Sequence, residues 1–344
     1  MSRRQVVKAC ALLLASAPLA RLTLANEGYF PAVPGGKPPP PSPFGFASTA
    51  EAVTAGLDLT GKTAFVTGCN SGLGLETMRV LALRGAHVIG AARTLEKAQK
   101  ACAGVEGRTT PVAVELTDFD TIVAAAAEVR RTTDAIDMLI LNAGIMALPE
   151  LETVNGVERQ FAVNHLGHFL LTEHLLPVVT AAPAGRVVVV SSGAHRWAGE
   201  EGLDLDNLDG SKGYDPLVAY GMSKVANGLF SRELARRLHG ATNATSNSLH
   251  PGVIETNLGR HRPPRDPAQR RNINYKTIPE GAATSCYVAT NPGLEGVTGF
   301  YFDDCNMAIP MPTMQDDTKA RRLWAISEDL TADYRLTRTG GPGA

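Results

Sequence analysis

The sequence predicts an α/β domain: a doubly wound parallel sheet with helices on both faces. Three observations carry this. From Gly61 onward, short apolar, β-branched runs alternate with longer segments of helical period. Such alternation requires right-handed crossovers and a parallel sheet covered on both sides. A glycine-rich turn, Thr67-Gly68-Cys69-Asn70-Ser71-Gly72-Leu73-Gly74, separates the first of these strands from its helix. The composition is that of one large core: 344 residues, 44% hydrophobic and 19% charged, too apolar for a disordered chain.

The first 46 residues stand apart. Ser2-Arg3-Arg4-Gln5-Val6-Val7-Lys8 precedes a short apolar stretch, Ala9 to Ala20, interrupted by Pro18. That stretch is too short to span a bilayer, so no stable membrane span is expected. A basic start, a short apolar core and the small-residue exit Thr23-Leu24-Ala25 describe an export signal over 1–25, similar to a twin-arginine signal. The periplasm or export is the expected destination, with a cytoplasmic or membrane-associated chain as the alternative. Cleavage after Ala25 would remove Arg3, Arg4, Lys8 and Arg21 and no acid, leaving a mildly acidic chain. Residues 26–46, with Pro38-Pro39-Pro40-Pro41, read as an extended linker or a surface-hugging arm. The catalytic domain is placed at 47–344.

Within it, strands are expected at Thr63–Thr67, His87–Ala91, Thr110–Val114, Met138–Asn142, Arg186–Ser191, Thr245–His250 and Gly299–Phe302. Helical patterns fill most of the gaps, beginning with Leu75 to Leu83 after the glycine turn. Strand, glycine turn and helix together place a pyrophosphate at a helix N-terminus, where unpaired N–H groups and the dipole favour negative charge. In that reading Gly68 makes the tight turn, Gly72 lets backbone approach phosphate, and Gly74 lets helix and strand pack closely.

The second strand ends Ala91-Ala92-Arg93. An acid at this point suits a ribose 2′-hydroxyl, and an arginine suits a 2′-phosphate. Ala92 stands where the acid would be and Arg93 follows, so NADP is expected over NAD.

Tyr220 and Lys224 lie four apart and so share one helix face. A free tyrosine, with a pKa of about 10, is a poor base at neutral pH, and a neighbouring ammonium stabilises its phenolate. Taken singly, Tyr-x-x-x-Lys, the pair Ser191-Ser192 and a glycine loop are weak signals. Together, in this order, they describe a hydride-transfer site.

The glycine spacing, Gly-x-x-x-Gly-x-Gly after Thr67, resembles the short-chain dehydrogenase/reductase family. The resemblance continues through Leu141-Asn142-Ala143-Gly144, Asn164, Ser192, Tyr220, Lys224 and Pro251-Gly252. Val163-Asn164-His165-Leu166-Gly167-His168-Phe169-Leu170-Leu171-Thr172 is similar to the retinol-dehydrogenase-like and WW-domain-oxidoreductase-like branch, as are Ala219 to Lys224 and Leu249-His250-Pro251-Gly252. The resemblance implies a single-domain Rossmann-type sheet of about seven strands in the order 3-2-1-4-5-6-7. It implies an alcohol–carbonyl oxidoreductase acting on a lipophilic small molecule, and leaves a homo-oligomer open.

By resemblance the catalytic set is Asn164, Ser192, Tyr220 and Lys224. Ser192 holds the substrate oxygen, Lys224 also holds the nicotinamide ribose, and Asn164 holds a water that links Lys224 to solvent. The cofactor set is Gly68, Asn70, Ser71, Gly72, Leu73, Gly74, Arg93, Glu115, Leu116, Asn142, Ala143, Gly144, Tyr220, Lys224, Ile254 and Thr256. Two departures from the family pattern stand out. Glu115 replaces the usual aspartate, which questions the adenine contact, and Leu141 replaces an asparagine that mainly braces its strand.

Other classes fit less well. A net charge of −1 leaves no footprint for nucleic acid. The five cysteines form no Cys-x-x-Cys pair and read as packed thiols; a disulfide at Cys69 would obstruct the cofactor turn. His165 and His168 lack a third ligand and read as packing residues, so no metal is expected. Arg260-His261-Arg262-Pro263-Pro264-Arg265, with Arg270-Arg271, lies where the resemblance implies a segment closing over the substrate; it reads as a solvated lid, with selection of an acidic substrate as the alternative. A dinucleotide-binding scaffold or redox sensor without catalysis is the rival reading, and the joint presence of Ser192, Tyr220 and Lys224 argues against it.

Overall fold

The computed structural model describes residues 31–33, 36–261 and 273–336. Residues 1–25, expected to form an export signal, and residues 262–271 of the basic stretch lie outside them. One main sheet organises the described residues. It contains β1 (Thr63–Thr67), β2 (His87–Ala92), β3 (Thr109–Ala113), β4 (Met138–Leu141), β7 (Arg186–Val190), β8 (Thr245–His250), β9 (Tyr301–Asp303) and β10 (Asn306–Met307), with a separate two-stranded ribbon of β5 (Thr153–Val154) and β6 (Val157–Glu158). The order is β10-β9-β8-β7-β4-β1-β2-β3. All pairings in the main sheet are parallel except β9 with β10.

The parallel strands follow the expected 3-2-1-4-5-6-7 order, with an antiparallel edge added beyond the seventh. β1 and β8 have the expected bounds, and the others shift by one or two residues. Asn306–Met307 is too short to show a period, so the edge strand left no sequence signal.

The helices are α1 (Ala50–Val53), α2 (Gly72–Leu83), α3 (Leu95–Ala103), α4 (Phe119–Thr132), α5 (Arg159–Phe161), α6 (Gly167–Ala181), α7 (Pro216–Leu238), α8 (Ile278–Thr290) and α9 (Asp317–Leu330). Strand residues point alternately to the two faces. Phe65, Ile89, Leu139, Leu141, Val187 and Val189 line one face and pack with side chains of α4, α6, α7 and α9. Gly90, adjacent to Ile89, turns toward Met78 of α2 and Cys102 of α3 on the other face. Helix α8 packs against α2 there. Trp324 of α9 stacks on Phe230 at 5.7 Å and meets Phe169 edge-on at 4.9 Å.

The proline-rich arm is packed where it is described. Ala32 and Val33 are buried, and the Asn306 amide donates to the Phe44 carbonyl at 2.8 Å. The described residues upstream of Ala47 therefore lie along the body of the domain.

Candidate active site

The carboxyl ends of β1, β2, β4, β7 and β8 open onto one cleft of about 720 Å³, lined among others by Gly68, Asn70, Ser71, Gly72, Leu73, Arg93, Ser192, Tyr220 and Lys224. Binding outside the carboxyl ends of the strands is the general rule for open parallel sheets. No helix among the described residues is long and apolar enough to cross a membrane.

The glycine turn is tightly built. Gly68 and Gly72 have φ of +70° and +56°, in the left-handed region. A Cβ at Gly68 would lie 3.0 Å from Ala143 Cα, and one at Gly74 would collide with the Gly68 carbonyl oxygen. Gly74 accordingly serves packing and does not line the cleft. Thr67 locks the turn to the end of β4: its Oγ1 accepts the N–H groups of Asn142 and Ala143, both at 2.9 Å. Asn142 Nδ2 donates back to the Thr67 carbonyl at 2.8 Å.

His168 joins the same knot. Its Nδ1 donates to the Asn164 carbonyl at 3.0 Å, which leaves Nε2 to accept from Thr67 Oγ1 at 2.9 Å. Burial pushes the imidazole down to about 4, so it stays neutral. His165 is instead surrounded by Phe161, Phe169 and Phe230, and its Nε2 meets Ser327 Oγ at 2.8 Å. The two histidines therefore have unrelated packing roles.

Helix α7 carries Tyr220 and Lys224. It starts cleanly because Asp215 accepts the N–H groups of Leu217 and Val218 and Pro216 occupies the first turn. Lys224 Nζ lies 5.6 Å from the Tyr220 ring centre and donates to the Val190 carbonyl at 3.1 Å. Asn227 Nδ2 donates to the same carbonyl at 3.1 Å. Full burial pushes Lys224 down to about 7.

The serine pair divides its work. Ser191 Oγ donates to the Lys224 carbonyl at 2.7 Å, tying β7 to α7. Ser192 Oγ accepts the Ala194 N–H at 3.1 Å, which leaves its own proton for another acceptor in the cleft.

Asn164 lies in a π-helical turn, Ala162–Leu166, between α5 and α6. It is fully buried, beside the cleft rather than lining it. Its Oδ1 accepts the Ile145 N–H at 2.8 Å, and its Nδ2 donates to the Ile145 carbonyl at 3.0 Å and to Ser223 Oγ at 2.9 Å. Ser223 Oγ in turn donates to the Tyr220 carbonyl at 2.7 Å. The side chain thus braces the β4 loop against α7, and both of its polar atoms are engaged by protein partners.

Expected cofactor residues Glu115, Leu116, Asn142, Ala143, Gly144, Ile254 and Thr256 all line the cleft. Glu115 curls onto its own loop, accepting the Thr117 N–H at 3.2 Å and the Thr117 hydroxyl at 3.0 Å. Leu141 is buried at the end of β4, paired with Val189. The sequence reading missed Lys97, which lines the cleft beside Arg93. Its position four residues after Arg93 was the available signal. It also missed an apolar collar: Met146, Ala147 and Ala194 pack with Tyr220, joined by Leu217 and Leu258. Trp197 lies 6.1 Å from Tyr220, ring centre to ring centre.

The comparisons agree with this fold. A short chain dehydrogenase family model matches residues 62–203. The short-chain dehydrogenase TIC 32 B, chloroplastic, of Brassica napus is 41% identical over 303 residues, covering 84% of this chain and 94% of that protein. Retinol dehydrogenase 14 of Mus musculus is 40% identical over 290 residues, covering 78% of this chain and 85% of that protein. A crystal structure of an uncharacterized protein from Mycobacterium Paratuberculosis superposes with a TM-score of 0.66 at 34% identity, covering 81% of this chain and 97% of the other. The chain belongs to the short-chain dehydrogenase family, in its retinol-dehydrogenase-like branch, and is an oxidoreductase by that membership.

Proposed function

We propose that this protein is an NADP-dependent oxidoreductase that interconverts an alcohol and its aldehyde or ketone, acting through Ser192, Tyr220 and Lys224. The observation that carries the reading is the meeting of these three residues, Ser192 just after β7 and Tyr220 and Lys224 on α7, in one cleft with the glycine turn. The cleft fits a dinucleotide: close glycine backbone stands at the N-terminus of α2, Arg93 follows β2, and Lys97 stands in the first turn of α3.

The bound dinucleotide supplies or accepts the hydride. Ser192 donates a hydrogen bond to the reacting oxygen. Tyr220 gives that oxygen a proton in reduction and removes it in oxidation. Lys224, in its protonated form, stabilises the phenolate by its charge. Asn164 keeps the β4 loop and α7 in register, and a water held at its backbone would connect Lys224 to solvent. Ile145, Leu148 and Leu258 line the same cleft as Tyr220, which favours an apolar substrate body.

NADP preference rests on Arg93, which has no hydrogen-bond or ion-pair partner among the described residues and is available to a 2′-phosphate. A charge-assisted hydrogen bond is worth about 1.5–3 kcal/mol, so Arg93→Ala should weaken NADP binding about tenfold or more. NAD binding should barely change. Fluorescence titration of both dinucleotides checks this; equal losses would remove Arg93 from the 2′-phosphate.

Export is also a proposal, carried by Arg3-Arg4 and the apolar stretch that follows. The Brassica napus relative is named chloroplastic, which gives the periplasm no support. Expressed in a bacterium with a working twin-arginine system, the full chain should be exported and cut near Ala25. Changing both Arg3→Lys and Arg4→Lys should hold it in the cytoplasm. An unprocessed wild-type chain that stays in the cytoplasm refutes the proposal.

A further inference from the structure

A second cluster of reactive side chains lies directly beneath the glycine turn. Cys69 follows Gly68 in the turn, and its N–H donates to the Ala91 carbonyl at 3.1 Å. Its side chain is fully buried and points away from the cleft lining, toward β2. Cys102, near the end of α3, reaches the same spot from the other side. Gly90 of β2 makes the meeting possible: a Cβ there would lie 3.0 Å from each of the two Sγ atoms and 2.8 Å from Met78 Sδ. Cys102 Sγ lies 3.9 Å from Met78 Sδ. Two cysteines 33 positions apart in the chain are thus brought together under the cofactor turn, with a glycine between them in place of a side chain.

We propose that Cys69 and Cys102 are a modification site: a dithiol that a hydroperoxide converts to a disulfide, displacing the glycine turn and weakening dinucleotide binding. Cys102 is the attacking sulfur, because the Cys69 thiol that meets it over Gly90 holds it below the ordinary thiol range. Its sulfur attacks one peroxide oxygen, the O–O bond breaks, and hydroxide leaves to take a proton as water. The resulting sulfenic acid is attacked by Cys69 sulfur. The S–O bond breaks, and the second hydroxide takes the Cys69 proton as water. Two thiols lose two electrons and two protons, and one peroxide becomes two waters. Both cysteines are buried, Cys102 being 5% exposed, so the site selects a small oxidant over a bulky disulfide.

A disulfide holds its sulfurs about 2.0 Å apart, well inside the contact distance of two thiols. Closing that gap pulls Cys69 toward α3. The turn has little slack to absorb the shift: a Cβ at Gly68 would lie 3.0 Å from Ala143 Cα, and Gly74 packs directly on the Gly68 carbonyl. The backbone N–H groups that face the cleft move with Cys69. By reciprocity, bound dinucleotide should disfavour the disulfide at equilibrium. The effect on binding rests on the proposed cofactor role of the turn; the formation of the disulfide does not.

The test uses the reduced full chain exposed to hydrogen peroxide. Peptide mapping after thiol alkylation should show a Cys69–Cys102 linked peptide two hydrogens lighter than the dithiol. Fluorescence titration should show NADPH affinity lowered at least about tenfold, restored by dithiothreitol. Cys102→Ala, and Cys102→Ser as a second variant, should bind NADPH as the reduced wild type does and ignore peroxide. No linked peptide, or a linked peptide with affinity within about twofold of the reduced form, overturns the proposal. Failure of the reduced wild type to bind any dinucleotide would refute the functional reading instead, and the peptide map would still decide the modification site.

Discussion

Tyr220→Phe should lower turnover by about 100- to 10,000-fold, the usual cost of removing a general acid/base. Dinucleotide affinity should stay within a few-fold. The substitution keeps the ring that packs with Met146, Ala147 and Ala194 and faces Trp197. The Asp215 cap of α7 and the bond from Ser223 to the Tyr220 carbonyl do not involve the phenol oxygen. Steady-state turnover together with a cofactor titration separates the two quantities. A fall in both by the same factor would point to a structural role for the ring.

Lys224→Met should abolish most activity and, unusually, stabilise the fold. Losing the charge beside the reacting oxygen should cost about 100- to 1,000-fold in turnover, as does removal of other groups that stabilise developing charge. Stability moves the other way because burial pushes Lys224 from an ordinary value of 10.5 down to about 7. Between those two values the unfolded chain binds the proton and the folded chain does not, so wild-type stability rises with pH across that window. Below about pH 7 the wild type carries the full cost of the buried ammonium. The gain in Tm for Lys224→Met should therefore be largest near pH 6 and fade toward pH 10. Thermal melts across that range check it. A loss of stability at pH 6 would mean that the bond to the Val190 carbonyl outweighs the burial cost.

These residues were legible because their signals are local. Tyr220 and Lys224 share a helix face, and the glycine turn sits between a β-branched strand and a helical run. The parallel strands were legible for a similar reason: runs such as Val187-Val188-Val189-Val190 favour a buried strand over any other local structure. Long-range geometry was not readable. His165 and His168 look alike in the chain, yet one is held among aromatic rings and the other locks Thr67 to the π-helical turn. The choice of Ser192 over Ser191 came from resemblance; the structure supplies a physical reason, since Ser191 is committed to the Lys224 carbonyl. Asn164 could be named from the sequence, but its bonds to Ile145 and Ser223 depend on how two distant loops meet. Cys69 and Cys102 carry no spacing signal at all, and it is the parallel pairing of β1 with β2 that brings them together.

The central claim is that Ser192, Tyr220 and Lys224 move a proton beside a hydride carried by NADP. Its most direct test follows NADPH absorbance with purified protein against a panel of apolar aldehydes and ketones, wild type beside Tyr220→Phe. The account predicts that at least one carbonyl drives NADPH oxidation by the wild type, faster than NADH, with the corresponding alcohol as product, and that the variant binds NADPH but leaves it unoxidised. Equal rates for wild type and Tyr220→Phe on the same substrate would contradict it.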